Sequence, residues 1–261
     1  MVKIGIIGGT GIASPEFIEQ AARKKMHTPY GPTSDLVTIG KIKGIDVVAI
    51  PRHGDNHRIY PGIVNYRANV WALKELGVTH VIATTACGSL REDIRPGDIV
   101  FPDQFIDRTT RRHQTFFEGH EFCHISMAEP FCSRLRAILS KSATALNIPH
   151  HGKGTVVTIE GPRFSTKAES KMFRQWNADI INMSTVPEVV LAREAEICYV
   201  AIALSTDYDC WHGSEEPVTI EMVVSRMQQF SAHFRRIMLD AIPKIAYNDC
   251  ACRHALKDAM I

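Results

Sequence analysis

"CYVAIALSTDYD", residues 198–209, runs from an unbroken apolar segment into two aspartates, Asp207 and Asp209. A stretch without polar residues over 198–204 predicts a strand covered on both faces, as strands of a helix-flanked parallel sheet are. On extended backbone, side chains two apart point to the same side, so both carboxylates are expected to face one site at the strand end.

Six further segments carry the same signature: 3–9, 45–51, 80–86, 97–102, 154–160 and 178–183. Helical spacing falls between and after them, over 61–77, 129–146, 165–176, 186–196 and 219–242; the first is punctuated by Pro61 at its start and Gly77 at its end. Strands interleaved with helices predict an α/β fold, a single domain with a mixed, mainly parallel twisted sheet flanked by helices. Polar residues at the strand ends then line a crevice.

No Pro/Ser/Gly-rich linker divides the 261 residues, and we expect one domain over 1–247 followed by a tail, 248–261, bearing Cys250 and Cys252 as a Cys-x-Cys pair. A formal net charge of +2 gives no electrostatic reason to expect nucleic acid or a membrane surface as partner. The pair Arg111–Arg112 reads as solvated surface. No run reaches the ~18 apolar residues of a membrane span, and "MVKIGIIGGTG" reads as a strand entering a glycine turn, so a cytoplasmic location is expected. Of the seven cysteines, Cys87, Cys132, Cys198 and Cys210 lie in or beside apolar or aromatic sequence and read as reduced packing residues; the Cys-x-Cys pair leaves a redox role or a tail-locking disulfide open.

The glycine turn after the first strand lacks the Gly-x-Gly-x-x-Gly spacing and the downstream acid of a dinucleotide site, yet its N–H groups and the Thr10 hydroxyl suit an anion. "AIPRHG" puts Arg52 and His53 past another strand of the same sheet, and Arg presents a planar fork of donors to phosphate oxygens. "ATTACGS" adds the hydroxyls of Thr84, Thr85 and Ser89, and "NMST" those of Ser184 and Thr185. Neither His53 with His57 nor the group His120, Cys123 and His124 has the partner cluster of a structural zinc site, and no nucleophile elbow occurs. No metal site is expected.

These segments, with "TPYGPTSD", "VNYRANVWALKELG", "TIEGPRFSTKAES" and "INMSTVPEVVLAREAEICY", resemble the S-methyl-5'-thioadenosine phosphorylases of the trimeric purine nucleoside phosphorylase family over about residues 3–247. The resemblance implies a nucleoside phosphorylase fold and a homotrimer with sites at subunit interfaces. It implies a reaction between a small-molecule nucleoside and phosphate, in purine and methionine salvage, with no metal or organic cofactor.

Position by position it implies that Thr10, Arg52, His53, Thr85, Ala86 through its N–H, and Ser184 bind phosphate, and that Met183 packs on the ribose, with Asn182 preceding it. It places Phe164 and Ser165 in the base pocket and Ile220, Val223 and Val224 around the methylthio group. His124 is the histidine lent by a neighbouring subunit, and His57 lies near the 5' end. Relatives commonly carry Thr where Ser184 stands, so the hydroxyl is kept and a rotamer-stiffening methyl is lost. Asp207 and Asp209 are then the catalytic acids, one protonating the purine while the other accepts from its amino group or orients its neighbour. Alternatives are a 6-oxopurine nucleoside or 5'-methylthioinosine phosphorylase on the same fold, and a non-catalytic nucleoside-binding protein.

Overall fold

The structure, a computed structural model, describes residues 1–8, 18–119, 121–213, 218–247 and 249–261. The glycine turn with Thr10, and His120, lie outside the described residues. The strands run β1 (Ile4–Gly8), β2 (Glu19–Lys24), β3 (His27–Thr28), β4 (Gly31–Pro32), β5 (Val37–Ile42), β6 (Ile45–Pro51), β7 (His80–Ser89), β8 (Ile99–Val100), β9 (Gln104–Arg108), β10 (His150–His151), β11 (Thr155–Ile159), β12 (Ile180–Asn182) and β13 (Cys198–Asp207). The helices are α1 (Tyr66–Glu75), α2 (Ser133–Ala145), α3 (Lys167–Gln175), α4 (Thr185–Glu194) and α5 (Ile220–Ala241).

One mixed sheet follows the order β10-β8-β13-β7-β1-β6-β5-β2. Its centre, β13-β7-β1-β6, is parallel throughout. β7 also forks. Its last residues pair antiparallel with β12, Ile180 opposite Ser89 and Ile181 opposite Gly88, and β12 leads on to β11 and β9.

Side-chain alternation assigns the two faces. Tyr199, Ala201 and Ala203 of β13 join Val81 and Ala83 of β7 under α1 and α4, while Cys198, Val200, Ile202 and Leu204 join Ile82 under α2 and α5. The two-faced apolar pattern therefore reflects helices on both sides, as the sequence predicts. A smaller core of Leu90, Val157, Phe173 and Ile181 sits beneath α3, whose start is fixed by a reciprocal Thr166–Glu169 capping box.

Two boundaries differ from expectation. The helix expected from 61 begins at Tyr66, because the Asn65 side chain accepts the Ala68 N–H as its cap and Pro61–Ile63 forms a separate 3-10 turn. The strand expected over 97–102 pairs only at Ile99–Val100. β2, "EQAARK", is exposed along its whole length, so it carries no apolar alternation for a sequence reading to find.

Candidate active site

Arg52 and His53 follow β6, Thr84 and Thr85 lie in β7, and Ser184 follows β12. Because β1, β6 and β7 run parallel, Arg52, His53 and the Thr84–Thr85 pair of the longer β7 gather at the carboxyl ends of β1 and β6, and Ser184 joins them from β12 through Thr85. The Arg52 N–H bonds to the Gly8 carbonyl, and Arg52 Nη1 reaches past β1 to the Thr84 carbonyl at 2.8 Å.

Arg52 is 2% exposed, and Glu188 of α4, fully buried, grips it at both ends: Nε to Oε1 at 2.7 Å and Nη2 to Oε2 at 2.8 Å. Burial opposes the guanidinium's charge, but Glu188 more than offsets it and the proton is held more tightly than usual. The Tyr199 hydroxyl donates to the same carboxylate at 2.8 Å. Of the five N–H donors of a guanidinium, the three bonds described leave one on each Nη for a ligand. Sequence reasoning missed Glu188 and Tyr199. An acid inside the otherwise apolar "TVPEVVLA" was the available signal, since a buried carboxylate needs a partner.

Beside Arg52, hydroxyls chain together. Thr85 Oγ1 and Ser184 Oγ are 2.9 Å apart, and Thr85 Oγ1 donates to the Ala86 carbonyl at 2.9 Å. The Asn182 amide donates to Thr185 Oγ1 at 2.7 Å and to Thr85 Oγ1 at 3.3 Å, and its oxygen accepts from Thr158. Asn182 thus sets the hydroxyl row from behind. Met183 is half-buried, and its carbonyl accepts from Arg112 Nη1 at 2.8 Å.

Arg112 corrects the sequence reading. Its side chain is 1% exposed and lies over the Tyr66 ring, with hydrogen bonds to the Val186 and Glu160 carbonyls and an ion pair to the Glu160 carboxylate. It is an internal brace. A basic doublet gives no hint of burial when its partners lie more than 45 residues away.

His53 Nδ1 lies 2.9 Å from the Ile59 carbonyl, which only accepts, so Nδ1 carries the proton and Nε2 presents a lone pair. Burial, and then the Arg52 charge, hold His53 down to about 4. His57 stacks on it with ring centres 5.1 Å apart and is lowered by the same causes. A histidine depressed from 6.5 to about 4 binds fewer protons folded than unfolded, so its contribution to stability rises with pH across that window and is lost on acidification. Asp207 and Asp209 work in the opposite sense, and a difference measurement isolates His53. We expect the stability of the wild type minus that of His53→Gln, from urea unfolding in phosphate-free buffer, to climb by on the order of 2–3 kcal/mol between these pH values. A flat difference would place the neutral ring elsewhere.

The acids stand at the end of β13, beside Gly88 and farther along β7 than the hydroxyl row. Asp207 is 5% and Asp209 6% exposed. They do not share an extended segment, contrary to the sequence expectation: β13 ends at Asp207, and Asp209 takes φ +49°, in the left-handed region. Asp207 Oδ1 instead accepts the Asp209 N–H at 2.8 Å, folding the loop back over its own strand, and Oδ2 accepts from Thr206 at 2.7 Å. Burial raises both carboxyls. For Asp207 the neighbouring Asp209 charge adds to the rise, and for Asp209 the Ser170 and Ser165 hydroxyls oppose it. Arg226 of α5 donates to the Thr206 carbonyl at 2.6 Å, and Trp211 Nε1 to the Ser89 carbonyl at 2.8 Å.

Gly88 stands in the fork of β7. A methyl there would meet Asp207 Oδ1 at 2.8 Å, Ile181 at 3.1 Å and Asp209 Cβ at 3.3 Å. Across the β7–β13 register Thr85 lies opposite Ala203 and Gly88 opposite Asp207. Three residues of strand separate the hydroxyl row from the acids, about 10 Å.

Of the remaining expected residues, Phe164 is 39%, Ile220 59% and Val224 45% exposed, and Val223 is half-buried. Ser165 is half-buried, its carbonyl accepting from Cys210 Sγ at 3.3 Å. His57 and His124 are exposed.

The sequence pattern of the Phosphorylase superfamily matches residues 3–243. S-methyl-5'-thioadenosine phosphorylase of Danio rerio is 56% identical over 253 residues, covering 95% of this chain and 90% of that protein. The protein of the same name from Thermofilum pendens is 52% identical over 261 residues, covering 100% and 99%. Methylthioadenosine phosphorylase from Schistosoma mansoni in complex with adenine superposes with a TM-score of 0.94 at 41% identity, covering 99% of each chain. A variant of the adenosine/methylthioadenosine phosphorylase of that organism, in complex with methylthioadenosine, gives 0.92 at 41% identity over 99% of this chain.

Proposed function

The chain belongs to the phosphorylase superfamily, and from that premise we propose that it cleaves S-methyl-5'-thioadenosine with phosphate, giving adenine and 5-methylthioribose 1-phosphate. The observation that carries this reading is the separation along β7 and β13: an anion cradle at Arg52, His53, Thr85 and Ser184, and two desolvated acids one nucleoside's length away.

Breaking the N-glycosidic bond places positive charge on the ribosyl ring and negative charge on the departing purine. Phosphate oxygens held by the remaining Arg52 donors and the hydroxyl row oppose the first and supply the nucleophile, so the protein forms no covalent intermediate. The neutral His53 Nε2 accepts a hydrogen bond from a phosphate hydroxyl. At the other end an Asp207 carboxyl raised by burial donates toward purine N7, and Asp209 accepts from the exocyclic amine. No organic cofactor or metal enters any step.

Phe164, Ile220, Val224 and His124 lie open in the single chain, which supports a site completed by a neighbouring copy in a homotrimer, with His124 lent across the boundary. No helix among the described residues is long and apolar enough to cross a membrane. The proposed setting is cytoplasmic.

The test is adenine release from methylthioadenosine with and without phosphate, run beside inosine. We expect phosphate-dependent turnover and a strong preference for the 6-aminopurine, since a site that hydrogen-bonds one edge rejects a mismatched edge by ~10⁴–10⁵-fold. Turnover without phosphate, or faster cleavage of inosine, would overturn the assignment.

A further inference from the structure

At the end of β13 remote from Asp207, four cysteines converge. Cys198 opens the strand, Cys132 immediately precedes α2, and Cys250 and Cys252 arrive from the tail. Their four sulfurs all lie within 4.8 Å of one another, and Cys132 Sγ and Cys250 Sγ are 3.8 Å apart. Sulfurs at ~2.3 Å from a tetrahedral zinc ion stand about 3.8 Å from each other, so a contraction of about 1 Å or less brings all four to ligand distance. Cys132, Cys198 and Cys252 are 3%, 1% and 5% exposed.

The surroundings match what four thiolates around a dication require. Such a centre carries net negative charge and is stabilised by donors and cations in its outer shell. Arg193 Nη1 donates to Cys252 Sγ at 3.6 Å, and Arg134 and Lys244 border a hollow of about 60 Å³ that Cys132, Cys198 and Cys250 also line. The tail is docked by other contacts as well: Arg134 Nη1 donates to the Asp249 carbonyl at 2.7 Å, and the His124 N–H to the Ala259 carbonyl at 2.8 Å.

We infer that Cys132, Cys198, Cys250 and Cys252 bind one structural zinc-class divalent cation, which fastens the C-terminal tail to the start of β13. Four sulfur–metal bonds form as four thiol protons leave to solvent, and no electron changes hands. Four protein ligands leave no open coordination position, so the ion serves the fold and takes no part in phosphorolysis.

The test uses the full chain, produced with zinc in the medium and purified without chelator or reductant. Elemental analysis is expected to give about one zinc per chain, falling at least ten-fold in Cys250→Ser/Cys252→Ser while methylthioadenosine cleavage persists. Replacement by cobalt should produce thiolate-to-metal charge-transfer absorption in the wild type only. Zinc retained by the double variant, or a metal-free chain with all four thiols free, overturns the inference. So does a disulfide between any two of the four, found by mass mapping of the unreduced protein.

Discussion

Asp207→Asn will lower kcat/KM for methylthioadenosine by ~10²–10⁴-fold, the usual size of a general-acid contribution. Asparagine preserves the shape: its single oxygen still accepts the Asp209 N–H, and its amide donates to the Thr206 oxygen, whose own hydroxyl turns to the Cys87 carbonyl, so the loop over Gly88 stays in place. What it removes is a transferable proton. The substitution also separates chemistry from folding. A carboxyl whose pKa burial has raised binds more protons folded than unfolded, so its ionisation weakens the fold as pH rises above the ordinary 3.8. The variant is therefore expected to be no less stable than the wild type at neutral pH, while the ratio of inosine to methylthioadenosine cleavage rises. Asp209→Asn measured alongside divides the roles, since the larger loss marks the proton donor. Kinetics unchanged in both would remove the pair from the mechanism.

Glu188→Ala will produce the largest loss of stability, about 3–5 kcal/mol, because it strands the Arg52 guanidinium in a place where both partners are almost wholly excluded from water. For a domain of this size that lowers Tm by on the order of 10 °C. The Tyr199 hydroxyl loses its acceptor in the same stroke. Phosphate KM should rise as well, because Glu188 fixes the angle at which the remaining Arg52 donors face the ligand; Glu188→Gln, keeping one acceptor, should show the kinetic defect with a smaller thermal shift. A variant with wild-type Tm and wild-type phosphate KM would mean that the buried pair neither supports the fold nor aims the arginine.

What was legible beforehand follows a physical line. Residues 198–204 announced themselves because a strand under helices on both sides is apolar on both faces, and the acids stood out past its end. The hydroxyls and Arg52 were visible for the same reason, as polar interruptions where apolar runs stop. Glu188, Tyr199 and the true place of Arg112 were not, since each is defined by partners far along the chain: 136 residues separate Arg52 from Glu188. The turn at Asp209 escaped for a different reason. Its φ of +49° is stabilised by a hydrogen bond to a side chain, Asp207 Oδ1, and no residue count reveals that. The exposed β2 lacked any pattern to read.

The crowding at Gly88 sets where new substrates can be sought. The fork of β7 leaves no room for even a methyl group against Asp207, Asp209 and Ile181. Attempts to retune the enzyme at this fork will disrupt it, and on the proposed reading the positions left to vary are Phe164, Ile220 and Val224, which lie exposed in the single chain. Directed libraries at those three positions should alter substrate preference, with any thermal cost arising where a neighbouring copy packs on them.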